Sequence, residues 1–170
     1  RMEYRKIAQP DEALCAFCRR QKTYYALARQ QVTPEYIAMD FQAPPGFSKD
    51  RHSHYEIFQD GAMIAYLDYY DGYRYSMRHD ERSLWIGLFL VEEHLQRRHI
   101  GRSIIQQLCA AHPHHERIQL ACYADNGRGL AFWKAMDFHA IDRSFQEGRE
   151  LIVMEHTLSG ARANPLPETT

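Results

Sequence analysis

The sequence predicts an α+β fold, in which a mostly antiparallel central sheet is flanked by helices on both sides. Two helix-start signals lie in the first third of the chain, and the hydrophobic period then changes to that of strands at Tyr55. Beyond Val91, helical and strand patterns alternate. With 170 residues, of which 45% are hydrophobic, the chain fits one domain with a core of its own.

The N-terminal part predicts one short strand and two helices. Tyr4–Ile7 fits a first strand, and Asp11–Arg20 reads as a helix with acidic residues in its first turn. Thr33 and Pro34 form the second start signal, with Thr33 as the N-cap and Pro34 as the first helical residue. The proline- and glycine-containing segment Gln42–Ser48 predicts a loop.

Three antiparallel strands are predicted in the middle of the chain. Tyr55–Gln59 and Ala62–Tyr70 are rich in β-forming residues and are separated by an Asp-Gly turn, which is typical of a hairpin. Ser83–Val91 is nearly all apolar, so we expect both of its faces to be covered.

The C-terminal part predicts helix, strand, helix and strand. The first helix has one apolar face, formed by Ile100, Ile104, Ile105, Leu108 and Cys109. A strand at Ile118–Tyr123, a helix at Leu130–Met136 and a last strand at Leu151–His156 are predicted after it. Residues 159–170 contain two prolines and few apolar groups, and they predict a disordered tail after a single domain spanning residues 1–158.

Charge and hydropathy argue against several classes of protein. The formal net charge is −1, whereas a dedicated nucleic-acid binder usually carries a pronounced basic excess, so a nucleic-acid partner is not expected. No stretch approaches the roughly 20 apolar residues of a membrane span, and no secretory signal is visible. We therefore expect a cytoplasmic protein without a membrane partner, and the sequence leaves a homodimer open.

The segment Leu84–Ser103 predicts a phosphate-binding turn. A buried strand ends, a polar loop follows, and an amphipathic helix begins near Gly101. The first turn of a helix presents unpaired N–H groups at its positive end, which suits a pyrophosphate. Gly101 lets the backbone approach the phosphates, and Ser103 is small enough not to obstruct them. Arg97, Arg98 and Arg102 add positive charge to an otherwise neutral protein.

This segment resembles the acetyl-CoA signature of GNAT acyltransferases: Gln or Arg, two residues, Gly, one residue, then Gly or Ala. Gln96–Gly101 fits, except that His99 replaces the first glycine, and histidine tolerates unusual backbone angles. The resemblance implies a mixed sheet splayed between its fourth and fifth strands. It implies that the pantetheine arm pairs with Phe89, Leu90 and Val91. The cofactor residues it implies around the phosphates are Gln96, Arg97, Arg98, His99, Ile100, Gly101, Arg102 and Ser103.

A second segment, Asp125–Phe138, is similar to the other cofactor segment of the same family. Asn126 is a natural N-cap, and the matching Asn of the family contacts the cofactor arm. Trp133 and Phe138 have the family's spacing, while Asp137 replaces the usual glycine. Together the two segments imply an N-acetyltransferase that uses acetyl-CoA as cosubstrate, needs no metal, and acts on a primary amine of a small molecule or a protein.

The catalytic pattern departs from that of the family. Trp133 stands where many members have a tyrosine acid, and an indole N–H is not a workable acid. Ala121 and Ile86 occupy the positions where relatives keep a carboxylate base. The remaining candidates are Tyr123 as the general acid and Asp68 or Glu56 as the base, with Glu92 and His94 also open. Alternatively, water relays the proton and positioning supplies most of the rate.

Two other functions stay open at this point. One is a non-catalytic acyl-CoA-binding or sensing module, which the absent acid would explain. The other is transfer to a nucleic-acid amine such as that of an aminoacyl-tRNA, which the neutral charge disfavours. A basic helix face for such a partner would consist of Arg19, Arg20, Lys22 and Arg29.

Overall fold

The computed structural model describes residues 1–96, 99–158 and 165–169. Its strands are β1 (Met2–Ile7), β2 (His52–Gln59), β3 (Ala62–Arg74), β4 (Arg78–Val91), β5 (Arg117–Tyr123), β6 (His139–Gln146), β7 (Arg149–Thr157) and β8 (Glu168–Thr169). Its α-helices are α1 (Glu12–Arg20), α2 (Lys22–Ala28), α3 (Pro34–Met39), α4 (Ile100–Ala111) and α5 (Gly127–Ala135). None of the described helices has the length and apolar character needed to cross a membrane.

The described strands form one mixed sheet, in the order β6-β7-β5-β4-β3-β2-β1-β8. The pairs β4–β5 and β1–β8 are parallel, and the other neighbouring strands are antiparallel. The predicted α+β class, with a mixed and mostly antiparallel sheet, is confirmed.

Helices cover both faces of the sheet, and each face has its own apolar cluster. On one face, α4 buries Ile104, Ile105 and Leu108 against strand residues that include Leu67 and Leu84. The cluster on the other face combines Leu14, Phe17, Tyr25, Ile37, Met63, Tyr66 and Leu90, so α1, α2 and α3 pack there. Because β4 is covered on both sides, its nearly continuous apolar sequence is explained.

Several helix ends follow from their capping residues. Asp11 accepts a hydrogen bond from the N–H of Leu14 at the start of α1, and Thr33 does the same for Tyr36 at the start of α3. Asn126 caps α5 by accepting from the N–H of Gly129 at 2.9 Å. These three caps agree with the helix starts expected from the sequence.

Some elements differ from the expectation. The helix α2 and the strand β6 were not predicted; nearly every residue of β6 is exposed, so it has no alternating apolar face to signal a strand. Strand β3 extends beyond the predicted end at Tyr70, to Arg74. Strand β4 begins before the predicted start at Ser83, at Arg78.

The predicted disordered tail also differs where the structure describes it. Glu168–Thr169 form a short strand beside Tyr4 and Arg5, so those two residues are ordered by pairing with β1. Residues 159–164 and 170 lie outside the described residues.

Candidate functional site

The candidate site lies where β4 and β5 part. Parallel pairing joins Ser83–Ile86 to Arg117–Leu120, and none of the described residues beyond Ile86 continues it. The last five residues of β4 therefore leave one backbone edge free on the β5 side. Such an edge can pair with an extended ligand as an added strand would. This is the splay between the fourth and fifth strands that the sequence analysis expected.

A β-bulge marks the point where the two strands separate. Asp68 pairs with Leu88 and Tyr69 pairs with Ile86, so Gly87 is the extra residue of β4. A Cβ atom added to Gly87 would lie 2.2 Å from Oδ1 of the buried Asp68. The close approach of β3 and β4 at the bulge therefore requires glycine.

The N-terminus of α4 lies beside the end of β4. His99 is its N-cap and has a φ of 63°, in the left-handed region, where a glycine is more usual. A Cβ added to Gly101 would lie 3.0 Å from the ring of Phe132 and 3.6 Å from Val91, so the first turn of α4 packs closely on α5 and β4. Two residues of the predicted phosphate turn, Arg97 and Arg98, lie outside the described residues.

A first cleft of about 610 Å³ opens along this edge of β4. Its wall includes seven of the predicted cofactor residues, namely Phe89, Leu90, Val91, Gln96, Gly101, Asn126 and Trp133. The predicted residues His99, Ile100, Arg102 and Ser103 belong to the cap and first turn of α4 but do not line the cleft. The opposite wall, which was not predicted from the sequence, comes from α2 with Thr23, Tyr24 and Leu27.

Polar contacts tie the loop after β4 to the corner between α1 and α2. Glu92 accepts hydrogen bonds from Arg20 at 2.8 Å and from Gln21 at 2.9 Å, and Glu93 accepts from the backbone of Thr23 at 2.5 Å. Burial opposes ionisation of Glu92, but the bonds from Arg20 and Gln21 hold its pKa below the ordinary value. Glu92 is therefore a structural ion-pair partner and lies outside the clefts.

A second cleft of about 340 Å³ lies on the α1–α3 side of the gap. It meets the first, because Tyr24, Phe89, Asn126 and Trp133 line both. Seven of its 17 lining residues are aromatic, namely the shared Tyr24, Phe89 and Trp133 and also Tyr25, Tyr36, Trp85 and Tyr123. Ile86 and Ala121, at the two positions where a carboxylate was sought in the sequence, also line it.

Asp40 is the only acidic residue among the described residues that line the second cleft. It follows directly after α3 as its C-cap. No described residue donates a hydrogen bond to its carboxylate or forms an ion pair with it. Burial, followed by the nearby charge of Asp68, raises the pKa of Asp40 to about 7. Asp40 was not predicted as a site residue, because nothing in its local sequence pattern places it over the gap in the sheet.

The predicted acid and bases are not brought together. Tyr123 lines the second cleft, and the guanidinium of Arg149 lies 4.2 Å from the centre of its ring. Asp68 lies behind Gly87 and does not line either cleft. Glu56 is fully buried beside Asp11 at the start of α1, away from both clefts. The side chain of His94 is 76% exposed and lines neither cleft.

A buried polar cluster, which includes Asp68, packs against the bulge. Nε2 of His52 lies 2.8 Å from Oδ1 of Asp68, and Nδ1 of His54 lies 2.7 Å from the hydroxyl of Tyr66. Burial lowers the pKa of His54 to about 3, so that imidazole is neutral. His52, His54 and Asp68 have ligand atoms within 4.8 Å of one another and are by type able to hold a metal. Each is already engaged in one of these two hydrogen bonds, and the absence of a metal stays a prediction.

Several solved structures with the same fold are named as acetyltransferases. An acetyltransferase from Thermus thermophilus superposes with a TM-score of 0.73 at 22% identity, over 92% of this chain and 97% of that one. The ribosomal-protein-S18-alanine N-acetyltransferase of Escherichia coli gives a TM-score of 0.60 at 14% identity, over 96% and 98% of the two chains. The PaiA N-acetyltransferase of Thermoplasma acidophilum, solved in complex with coenzyme A, gives 0.66 at 15% identity, over 92% and 99%. At these identities the likeness concerns the fold.

The splayed sheet leaves a free strand edge along a cleft at the end of β4, as expected of an acyltransferase. The profile of the acetyltransferase (GNAT) family matches residues 13–138, and this chain belongs to that family. It is accordingly an acyltransferase, as the two sequence segments implied. No curated protein sequence matches the chain closely enough to add a substrate.

Proposed function

We propose that this chain transfers the acetyl group of acetyl-CoA to a primary amine by direct attack of the amine. The observation that carries the proposal is the meeting of two clefts at the gap between β4 and β5, where Tyr24, Phe89, Asn126 and Trp133 line both. The first cleft offers the free edge of β4 to the pantetheine arm of acetyl-CoA, and the second cleft gives the acceptor amine a separate route to the gap. Both reactants can therefore meet without a covalent enzyme intermediate.

The free strand edge beside the first cleft supports acetyl-CoA as its ligand. The cosubstrate supplies an acetyl group activated as a thioester. The backbone of Phe89–Val91 would pair with its arm, and the N-terminal turn of α4, opened by the left-handed His99, would hold its pyrophosphate. Asn126 would contact the arm from the start of α5. Arg97 and Arg98, which lie outside the described residues, remain predicted phosphate ligands.

The acceptor amine has to lose a proton, because an ammonium group has no lone pair for the attack. Asp40 is the carboxylate that lines the second cleft, and its pKa of about 7 suits a base at neutral pH. We therefore propose Asp40 as the base in place of the predicted Asp68 and Glu56, which line neither cleft.

The leaving thiolate needs a proton donor that Trp133 does not supply. The hydroxyl-bearing Tyr24 lines both clefts, whereas Tyr123 lines only the second. Burial raises the pKa of Tyr24 above its ordinary value, so its phenol stays protonated at neutral pH. We propose Tyr24 as the donor at the junction, with Tyr123 as the alternative.

Replacing Tyr24 with phenylalanine is expected to lower kcat by about 10- to 100-fold, as loss of a general acid does. Binding of coenzyme A should change little, because the ring that lines the first cleft is kept. The measurement is thiol release at saturating acetyl-CoA, with calorimetry of coenzyme A binding alongside. Tyr123→Phe is the matched comparison. A full rate in Tyr24→Phe together with a large loss in Tyr123→Phe would transfer the role to Tyr123.

The function itself is tested by titrating the chain with acetyl-CoA in a calorimeter and by following thiol release across a panel of amines. Saturable binding with amine-dependent release is the expected result. No saturable binding at high micromolar acetyl-CoA would overturn the proposal.

One observation favours a second function, a non-catalytic acyl-CoA-binding module: Trp133 holds the place of the family's tyrosine acid. For such a module, acetyl-CoA binds, but no amine raises thiol release above background. The same two measurements therefore separate the two functions.

A further inference from the structure

The second cleft has a single acidic side chain, and seven of its 17 lining residues are aromatic. Asp40 is the only aspartate or glutamate among the described residues that line it. No described lysine, arginine or histidine is part of the wall. Arg149 lies behind the ring of Tyr123, but it pairs with Asp125 at 3.2 Å and is not part of the lining.

The carboxylate of Asp40 has no cationic partner within the described part of the protein. A partly buried charge without a partner is costly, and a cation that enters the cleft removes that cost. The neighbouring imidazole of His54, which stacks on Phe41 at 3.7 Å, is neutral and does not supply the cation. A ligand with a positive charge would therefore supply the partner that the carboxylate of Asp40 lacks.

Three tyrosines pack together in the part of the wall that also contains Asp40. Tyr24 and Tyr25 meet edge to face with centroids 5.2 Å apart, and Tyr25 meets Tyr36 in the same way at 6.3 Å. All three line the second cleft together with Trp85 and Tyr123. Aromatic faces attract ammonium groups through their quadrupoles and also stack on planar apolar groups.

We propose that the second cleft binds a small primary amine with one positive charge and an aromatic body, of the arylalkylamine class. The ammonium group pairs with Asp40, and the aromatic body packs among the tyrosines. Acetylation of this amine rests on the proposed function, whereas its binding is inferred from the geometry of the second cleft alone. The volume of about 340 Å³ is in the range of small-molecule sites.

The same lining disfavours other amines. A polyamine carries further charges, and the described wall offers no second carboxylate for them. An amino acid carries a carboxylate, and the described wall offers no cation to pair with it. A simple alkylamine would form the ion pair with Asp40 but has no aromatic group to pack against the tyrosines.

The test is calorimetry with four probes in the presence of coenzyme A, so that no transfer takes place. We expect 2-phenylethylamine to bind at least tenfold more tightly than its neutral isostere 2-phenylethanol, and more tightly than butylamine or putrescine. Equal affinity for the amine and the alcohol in the unaltered protein would overturn the proposal. So would a preference for butylamine or putrescine. This comparison requires no variant.

Asp40→Asn assigns the charge preference to one residue. It should weaken binding of 2-phenylethylamine at least tenfold and leave that of 2-phenylethanol within twofold. Asp60→Asn is the matched control in the turn between β2 and β3, away from both clefts, and should keep the preference for the amine. An Asp40→Asn protein that unfolds like the unaltered protein and still prefers the amine would contradict the role of Asp40.

Thiol release with acetyl-CoA separates this inference from the proposed function. Binding of 2-phenylethylamine in the expected pattern without thiol release would support the site and contradict the transferase proposal. Efficient acetylation of putrescine or butylamine, unaffected by Asp40→Asn, would support acetyl transfer to an amine but would overturn both the role of Asp40 as the base and this inference.

Discussion

Gly87→Ala is expected to lower the free energy of unfolding by about 2 to 3 kcal/mol, the range for overpacking a filled interior. The added methyl group would lie 2.2 Å from Oδ1 of Asp68, and that carboxylate cannot move away freely because it is buried and bonded to His52. The strand β4 would have to shift at the bulge, so the gap with β5 and the transfer rate should change as well. Chemical denaturation and thiol release measure the two effects.

Gly127→Ala is the matched control, since a Cβ atom there meets nothing within 4 Å and its φ is not in the left-handed region. Its stability should stay within about 0.5 kcal/mol of the unaltered protein, as at an uncrowded surface position. A double-mutant cycle identifies the clash directly. In an Asp68→Ala background, Gly87→Ala should cost clearly less than it does alone, because the atom that it meets is gone. Strict additivity would show that Asp68 is not the obstacle.

Glu56→Gln is expected to make the protein more resistant to alkaline conditions. Glu56 is fully buried, and neither of its carboxylate oxygens has a hydrogen-bond partner among the described residues. Burial, and then the neighbouring Asp11, raise the pKa of Glu56 to about 8, although the guanidinium of Arg5, 3.8 Å away, opposes the rise. In the unfolded chain the same group titrates near its ordinary value of about 4.3. The folded state therefore holds a proton that the unfolded state has already lost.

The sign of the pH dependence follows from this difference. Below about pH 4.3 both states are protonated, and Glu56 does not affect stability. Between that value and about pH 8 the unfolded state is favoured progressively, and above about pH 8 the loss is complete. The stability gained in Glu56→Gln should thus grow by on the order of 3 to 5 kcal/mol from pH 4 to pH 9.

Urea denaturation at several pH values measures this growth. Glu3→Gln, at an exposed position of the neighbouring strand β1, is the control and should follow the unaltered protein across the range. A constant difference between Glu56→Gln and the unaltered protein from pH 4 to pH 9 would show that Glu56 is not a buried proton carrier.

The sequence was sufficient for the parts of the fold that depend on local signals. Thr33 and Asn126 cap the helices that they were expected to start, because capping is decided within three or four residues. The two positions where a usual glycine is replaced, His99 and Asp137, have φ values of 63° and 65°, so the backbone keeps the left-handed turn without glycine. The splay of the sheet came from the resemblance and was confirmed in the pairing of β4 with β5.

The acceptor side could not be predicted in the same way. Asp40 lies near the gap only because α3 packs across the sheet, a contact between segments that are far apart in the chain. Glu56 and Asp68 both stand on strands next to the site, and the sequence does not tell which way a carboxylate on a buried strand will face. Strand β6 was missed because almost all of its residues are exposed, so neither an alternating nor a continuous apolar pattern exists.

The short strand β8 makes the two edges of the sheet differ in how readily they pair with strands of other chains. By pairing with Tyr4 and Arg5, it occupies part of the outer edge of β1, where unpaired N–H and C=O groups would otherwise invite a foreign strand. The opposite margin, β6, has no such cover in the described residues, and it exposes Ile141 and Phe145 to 41% and 70%. Under conditions that promote aggregation, strand-to-strand growth should therefore start at β6, and a charged substitution of Phe145 is the change best placed to suppress it.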